Sequence, residues 1–177
     1  MDSCQDTRIR YKQELLTDKR LQYATSKQQE QTRKQFCKEN NEPFVAKKFT
    51  YKSQKLSNSE TILEALSRSR YLLYKYPQNW TETQRERAVA LFEYYPEIEK
   101  SYKLCCKFRA WYSKKNVGRS VNAMRADLRL WYSEVDKENV LEMENFSSLV
   151  KRHEGLILNY FVNGDRLPRQ QIAKYSE

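Results

Sequence analysis

Residues 120–135, SVNAMRADLRLWYSEV, decide the fold class of this chain. Apolar side chains recur in this stretch at intervals of three and four residues, which places them on one face of an α-helix. Ser120 stands just before the stripe, and serine is a preferred N-cap residue. The stripe consists of Val121, Met124, Leu128, Trp131, Tyr132 and Val135. The stretch therefore predicts an amphipathic helix with one buried face.

Four further segments of the chain show the same helical spacing. Two of them follow capping-box sequences, Ser57–Glu60 and Thr81–Gln84, and a third follows Pro96. The fourth runs from Phe146 to Phe161. Only 3 Gly and 4 Pro occur in the 177 residues, which favours long helices over many strands and turns. Five amphipathic helices joined by short connections predict a helical bundle.

The N-terminal segment has a different pattern. Residues 6–40 contain neither Pro nor Gly and predict one long polar helix. Its apolar residues Ile9, Leu16 and Tyr23 recur every seven positions, which gives a narrow seam rather than a broad core face. Such a helix either lies on a partner helix or forms a solvated arm.

Residues 41–56 interrupt the helical pattern. Pro43 lacks a backbone donor and disfavours helix at the residue before it. Phe44, Phe49 and Tyr51 then alternate with lysines, which predicts a loop or a short hairpin. The chain as a whole is therefore expected to be all-α, with a long N-terminal helix followed by a bundle of about five helices.

Three segments follow from these patterns. Residues 1–56 form a long, polar, basic helix with its loop, and residues 57–164 form the helical bundle. Residues 165–177 form a polar tail.

The net charge of +10, from 33 Lys and Arg against 23 Asp and Glu, favours an anionic partner such as nucleic acid. Residues 1–56 hold 13 basic and 7 acidic residues, a net of +6, so the positive charge is concentrated there. The alternative is a solvated basic surface with no specific partner.

Two groups of basic residues are the strongest candidates for contacts with nucleic-acid phosphates. Guanidinium groups bind phosphate bidentately, and a neighbouring tyrosine can add a hydrogen bond. The alternative is that these cations pair with nearby glutamates on helix surfaces. The candidates are Arg8, Arg10 and Lys12 in the first helix, and Arg68, Arg70 and Tyr71 in the second.

No catalytic arrangement stands out in the sequence. The single histidine, His153, lies on an apolar stripe and is expected to be a packed, hydrogen-bonded imidazole. The four cysteines, Cys4, Cys37, Cys105 and Cys106, lack metal-site spacing and are expected to be buried free thiols. The acidic residues of 127–138 are expected at the helix surface. No catalytic, cofactor-binding or metal-binding residue is therefore assigned.

No apolar run is long enough to span a membrane, and residues 1–6 lack signal-peptide features. Free thiols are typical of proteins in a reducing compartment. We therefore expect a cytoplasmic protein that has no membrane partner.

Several runs of the sequence resemble, in order and spacing, the C-terminal part of insertion-sequence transposases of the ISL3 family, especially those of Bacteroides-like bacteria. The resemblance covers residues 6 to about 164. The runs are SRSRYLLYKYP at 67–77, WTETQ at 80–84, AVALFEYYP at 88–96, SYKL at 101–104, LWYSEV at 130–135 and HEGLILNYF at 153–161.

The resemblance implies a bacterial DDE transposase, in which two Asp and one Glu of an RNase H-like domain hold Mg²⁺ for DNA strand cleavage and transfer. A long helical insertion separates the second Asp from the Glu, and this chain looks like that insertion. Both family Asp residues would precede Met1, and the Ala-Glu-x-x-Asn motif that carries the Glu does not follow Asn163. The resemblance therefore assigns no catalytic role and no cofactor to this chain.

The leading hypothesis is a truncated DDE transposase fragment that is catalytically inactive and able to bind DNA or a related transposase protomer. Two alternatives remain. One is a free-standing basic helical module that binds nucleic acid, and the other is a helical structural or interaction protein. No small-molecule substrate is expected in any of the three.

Overall fold

A computed structural model describes residues 3–163, and these residues form helices joined by turns and one extended segment. Seven α-helices are present in this range, together with two short 3-10 turns, Pro77–Asn79 and Lys114–Asn116. The all-α prediction and the long N-terminal helix are confirmed. The α-helices are α1 (Ser3–Glu39), α2 (Ile62–Leu72), α3 (Glu82–Tyr94), α4 (Pro96–Trp111), α5 (Val121–Glu138), α6 (Leu141–Arg152) and α7 (Glu154–Asn163).

The start of α2 lies later than the sequence pattern predicted. The capping box is formed by Thr61 and Glu64, in which the Thr61 side chain accepts from the Glu64 backbone N–H and the Glu64 carboxylate accepts from the Thr61 N–H. The predicted box at Ser57–Glu60 is instead a turn, in which Ser59 adopts a left-handed φ of 66°. Both sequences have the capping-box composition, and only the second lies directly before the buried face of α2, which begins at Ile62.

The caps predicted for α3 and α5 are present. The backbone N–H of Gln84 donates to Thr81 Oγ1 at 3.3 Å, and the Ser120 side chain accepts from the Ala123 backbone N–H. Between α4 and α5, Gly118 adopts a positive φ of 90°, which glycine tolerates without a steric cost.

The segment from Leu141 to Asn163 forms two helices rather than the single helix that its apolar stripe predicted. The break falls at His153, whose φ of −108° and ψ of 14° lie outside the helical range. Gly155 follows two residues later and weakens helix propensity at this point. The prediction of a packed imidazole was wrong, because His153 is exposed.

The described residues cluster into two compact units. One unit, called the arm unit, comprises Arg8–Tyr94. The other, called the bundle unit, comprises residues 3–7 together with residues 95–163. The segment boundary predicted at residue 56 lies within the arm unit, and the predicted tail, 165–177, lies outside the described residues.

The bundle unit has an aromatic core. The Trp131 ring packs beside Phe108 and Phe146, with ring centroids 5.0 and 5.8 Å away, and its Nε1–H donates to the Leu104 carbonyl at 3.0 Å. The Trp111 Nε1–H donates to the Met124 carbonyl in the same way. Large rings bury much area per residue, and here their polar edges are satisfied by backbone carbonyls. These aromatic residues are packing residues.

The core of the arm unit is smaller and is formed where α2 packs on α3. Leu66, Leu72, Leu73 and Leu91 are fully buried there. The Trp80 Nε1–H donates to the Leu72 carbonyl at 2.8 Å and closes the end of this core. In the part of the chain that the structure describes, no helix is both long enough and apolar enough to cross a membrane.

Candidate nucleic-acid interface

Four exposed cations form a straight row along α1. Because an α-helix turns about 100° per residue, Lys27, Lys34 and Lys38 project within about 40° of Arg20. The row extends about 27 Å along the helix. All four side chains are exposed, and among the described residues none of them has an ion-pair partner. We call Arg20, Lys27, Lys34 and Lys38 the basic stripe.

The acidic residues of this part of α1 are placed mostly on another face. Glu14, Asp18 and Glu39 project about 100–160° away from Arg20. Glu30 lies about 80° from Arg20 and is half-buried. The positive and negative charges of α1 are therefore segregated around the helix, and one face presents a continuous positive potential.

Residues 43–55, called the strap, run back along α1 in the opposite direction. Near the strap's start, the Arg33 guanidinium donates to the Val45 carbonyl and lies over the Phe44 ring, 5.1 Å from its centroid. Further along, the Phe49 ring meets the Tyr23 ring edge-on with centroids 5.4 Å apart.

The far end of the strap reaches the first third of α1. The Tyr51 hydroxyl donates to Asp18 Oδ2 at 3.3 Å, and the Lys19 ammonium lies 5.7 Å from the Tyr51 ring centroid. Burial and the Asp18 carboxylate together raise the pKa of Tyr51, so this hydroxyl stays a donor.

The contact register agrees with an extended strap. From Phe44 to Tyr51 the strap advances seven residues, or about 23 Å at the rise of an extended chain. The matching helix residues, Arg33 and Asp18, are separated by fifteen residues, or about 22 Å at the helical rise. The two lengths match, so the strap follows α1 without a loop between its contacts.

The strap is also fixed where it leaves α1. The Tyr94 hydroxyl donates to Gln54 Oε1, and the Ile62 N–H donates to the Gln54 carbonyl at 3.0 Å. Lys55 and Thr61 form an isolated antiparallel bridge. The strap is thus held at both ends and at its aromatic residues.

Four lysines of the strap face solvent, and residues 43–59 contain no acidic residue. In the described residues none of these ammonium groups has an ion-pair or hydrogen-bond partner. They are Lys47, Lys48, Lys52 and Lys55.

The first group of predicted phosphate contacts lies at the start of the arm unit, and its members differ. Arg8 is only 6% exposed, and its Nη1 donates to the Leu66 carbonyl at 2.6 Å. This arginine holds α1 beside α2, and a phosphate contact at Arg8 stays a prediction. Arg10 and Lys12 are half-buried, and Arg10 pairs with Glu14 at 3.6 Å.

The second predicted group lies on α2. Arg68 pairs with Glu60 at 3.0 Å and with Glu64 at 3.7 Å, which is the alternative that the sequence left open. Arg70 and Tyr71 are exposed, with the guanidinium 5.8 Å from the Tyr71 ring centroid. Because Arg8 donates to the Leu66 carbonyl, the structure brings Arg8 next to α2. A phosphate contact at Arg10, Lys12, Arg68, Arg70 or Tyr71 stays a prediction.

Glu60 is the centre of an ion-pair network in the arm unit. It accepts from Arg87 Nε at 2.8 Å and Nη2 at 2.6 Å, and from Arg68 Nη1 at 3.0 Å. The hydrogen bonds from Arg87, opposed by burial and assisted by Arg68, lower the pKa of Glu60 to about 2. Glu60 therefore stays ionised and neutralises Arg87 and, together with Glu64, Arg68.

Each acidic side chain of α5 forms an ion pair with a different lysine or arginine of the bundle unit. Asp127 and Glu134 lie seven residues apart, or about 10 Å along the helix, whereas two-metal chemistry needs carboxylates around cations about 3.5–4 Å apart. Among the described residues, no group of three or more His, Cys, Asp or Glu could hold a metal ion. These acids therefore do not fit the metal site that a DDE transposase needs. The pairs are Asp127–Arg119, Glu134–Lys107, Asp136–Lys151 and Glu138–Lys100.

The cysteines are free thiols. Cys4 and Cys105 are buried as predicted, whereas Cys37 and Cys106 are only half-buried. Burial raises the pKa of the Cys106 thiol, so the reactive thiolate is disfavoured at neutral pH.

The sequence predicts where the positive charge is concentrated, but it does not show which of these cations lack an ion-pair partner. The basic stripe had a signal, since Arg20, Lys27 and Lys34 recur every seven residues. The strap lysines also had one, in an acid-free run next to Pro43. Whether a cation is paired depends on its spatial neighbours, which the sequence alone does not supply.

Comparison with known proteins gives one match. The family model of the ISL3 group of DDE transposases, described as transposase, matches residues 21–166, which is most of the chain. No curated protein and no solved structure matches the chain significantly.

Proposed function

Because the chain belongs to the ISL3 family of DDE transposases, we propose that it is a transposition-related protein that binds DNA through the phosphate contacts of its arm unit and does not itself catalyse strand transfer. It would act where bacterial DNA is, in the cytoplasm.

The observation that carries the proposal is the segregation of charge on α1. Neutralising a row of phosphates with Lys and Arg releases condensed counterions, and this release drives sequence-independent DNA binding. The basic stripe presents unpaired cations over about 27 Å, whereas most of the acids of the same helix project elsewhere. A solvated helix with intermixed charges would present no such row.

The proposed lack of strand transfer has its own support. The acids of α5 form ion pairs with four different cations and do not converge. Metal-dependent DNA chemistry would have to displace those cations and gather the carboxylates from one helix surface.

DNA binding is tested by titrating the full chain against a fluorescein-labelled duplex of mixed sequence between 50 and 200 mM salt. Replacing Arg20, Lys27, Lys34 and Lys38 with Ala should flatten the slope of log K against log salt by about one for each phosphate that is no longer neutralised. A bundle variant, in which Lys103, Lys107, Lys115 and Lys137 become Ala, removes the same charge and serves as the control. An equal loss of affinity in both variants would mean that DNA binding depends only on the net charge of the chain, and this would contradict the proposal.

Catalytic inactivity is tested by incubating the chain with supercoiled plasmid and Mg²⁺. The plasmid should stay supercoiled. Nicking that disappears in the Glu134→Gln or Asp127→Asn variant would show that α5 carries chemistry and would overturn this half of the proposal.

A further inference from the structure

We propose that the strap is a second row of phosphate contacts, fastened to α1 by aromatic residues, and that the strap and the basic stripe together bind the backbone of duplex DNA. This inference rests on the proposed function and adds to it a second binding element and the form of the DNA.

The strap is built with two different edges. Phe49, Tyr51 and Ser53 are half-buried, whereas the residues between and beside them, including Lys48 and Lys52, are exposed. This alternation with a period of two is the signature of an extended segment that lies on a surface. The half-buried edge faces α1, and Lys48 and Lys52 lie on the opposite edge and face solvent. Lys47 and Lys55 share the register of Phe49 and are exposed at the two ends of this alternating stretch.

The fastening of the strap matters for affinity. A mobile loop would lose conformational entropy on binding, which weakens the complex, and a segment ordered in advance loses less. The contacts of Phe44 with Arg33, of Phe49 with Tyr23 and of Tyr51 with Asp18 order the strap without using any of its lysines.

The strap and the basic stripe occupy the same length of helix. The strap contacts α1 between Asp18 and Arg33, and the stripe runs from Arg20 to Lys38. At 3.4 Å per base pair, the 27 Å of the stripe corresponds to about eight base pairs of duplex.

The aromatic residues favour a duplex over a single strand. Single strands are bound by stacking bases on open aromatic rings. The Tyr23 ring is met by Phe49 and lies near Lys27, and the Tyr51 ring lies near Lys19. Phe36, which is 57% exposed, projects about 160° away from Arg20. Tyr23 is 50% exposed beside the basic stripe, but its ring is already in contact with Phe49 and Lys27, so it is less available for stacking on a base than a free ring.

The experiment compares the unchanged chain with five variants on a labelled 20-base-pair duplex and on a single strand of the same sequence. One of them is the stripe variant, in which Arg20, Lys27, Lys34 and Lys38 are changed to Ala. The strap variant changes Lys47, Lys48, Lys52 and Lys55 to Ala. The anchor variant is Phe49→Ala, and Phe49→Tyr keeps the ring. The bundle variant defined above removes the same charge as the strap variant. Far-UV circular dichroism shows whether each variant keeps its helices.

The expected result follows from counterion release, which makes each phosphate contact worth about eight-fold in affinity at 0.1 M salt. With at least two of the four lysines on phosphates, the strap variant should bind duplex about 60-fold more weakly, with a salt slope smaller by about two. The bundle variant should change by less than three-fold. Phe49→Ala should weaken binding although it changes no charge, and Phe49→Tyr should restore it.

The outcomes separate this inference from the proposed function. If the strap and bundle variants lose affinity equally while the stripe variant loses far more, the strap inference fails and DNA binding by α1 stands. Tighter binding of the single strand than of the duplex would overturn the assignment of duplex DNA. If the unchanged chain binds neither form of DNA, both proposals fail.

Discussion

The two units of the molecule differ in how many of their residues are buried. In the bundle unit, α4, α5 and α6 each bury a face around the aromatic core. In the arm unit, no residue between Arg8 and Leu56 is buried. The bundle unit is thus held by its core, whereas α1 and the strap are held by local helix interactions and by partly exposed contacts. Substitutions in the bundle core should change stability, whereas substitutions in α1 and the strap should change binding.

The polar composition of α1 explains how the part of this helix beyond Arg8 forms without a core. Gln, Lys, Arg, Glu and Leu are good helix formers, and α1 contains no Pro or Gly. Side-chain pairs four residues apart add to this, including the ion pair Arg10–Glu14 and the hydrogen bond from Gln35 to Glu39. Each such pair contributes about 0.2–0.5 kcal/mol, so the helix is stabilised by many small terms.

The largest loss of stability is expected from the bundle core. Trp131→Ala should lower the free energy of unfolding by about 3–5 kcal/mol, because it leaves a cavity beside Phe108 and Phe146 and removes the hydrogen bond to the Leu104 carbonyl. Trp131→Phe keeps most of the volume and should cost less. Urea unfolding followed by circular dichroism measures both. A cost below about 1 kcal/mol for Trp131→Ala would contradict the packing described for the bundle core.

The next effect concerns the ion pairs of the arm unit and depends on pH. Because the pKa of Glu60 is lowered from 4.5 to about 2, its ionised form contributes up to about 3 kcal/mol to stability. This contribution is complete above pH 4.5 and is lost as the pH falls towards 2. Glu60→Gln should therefore destabilise the chain by about 2–3 kcal/mol at pH 7 and by little near pH 2.

A matched variant on the same unit is Glu82→Gln. The Glu82 side chain is 80% exposed and pairs with Arg85 at 3.7 Å, so its removal should change the stability by less than about 0.5 kcal/mol at any pH. Unfolding curves at pH 7, 4 and 2.5 separate the two carboxylates. Parallel pH profiles for the two variants would show that the Glu60 network contributes no more to stability than an exposed ion pair does.

Removing a helix cap should lower the free energy of unfolding by a smaller amount, which should be the same in the two units. Thr61→Ala removes the cap of α2, and Ser120→Ala removes the cap of α5. Each should cost about 1 kcal/mol, because one backbone N–H loses its acceptor. Amide hydrogen exchange should accelerate in the first turn of α2 for one variant and of α5 for the other. Unchanged exchange in α2 after Thr61→Ala would favour the start at Ser57 that the sequence pattern indicates.

The predictable part of the fold is the part decided by local pattern. The apolar stripe of α5, its Ser120 cap and the proline at the start of α4 all depend on neighbours within one or two helical turns. The break at His153 was missed because the apolar stripe continues on both sides of it, so periodicity alone does not show the change of direction. Two capping-box sequences before α2 could be separated only by the burial of Ile62.

The candidate site was less predictable than the fold, for a physical reason. The fate of a cation depends on contacts between distant residues, such as Arg8 with the Leu66 carbonyl and Arg87 with Glu60. Clusters of arginine therefore indicated phosphate contacts where the structure shows packing for Arg8 and ion pairs for Arg68. The position of the strap on α1 likewise depends on Tyr23 and Phe49, which are 26 residues apart in sequence.

The smallest effect on stability is expected on the basic stripe, where a substitution should clearly weaken DNA binding. Lys34 is exposed on the basic stripe without an ion-pair partner among the described residues, so Lys34→Ala should change the free energy of unfolding by less than about 0.5 kcal/mol. The same change should weaken duplex binding about eight-fold at 0.1 M salt if Lys34 neutralises one phosphate. Lys137→Ala, an exposed lysine of α5 in the bundle unit, should change neither quantity. Equal binding losses for Lys34 and Lys137 would mean that the positive charge acts as a whole, and the contrast between a core-bearing unit and a DNA-binding unit would then disappear.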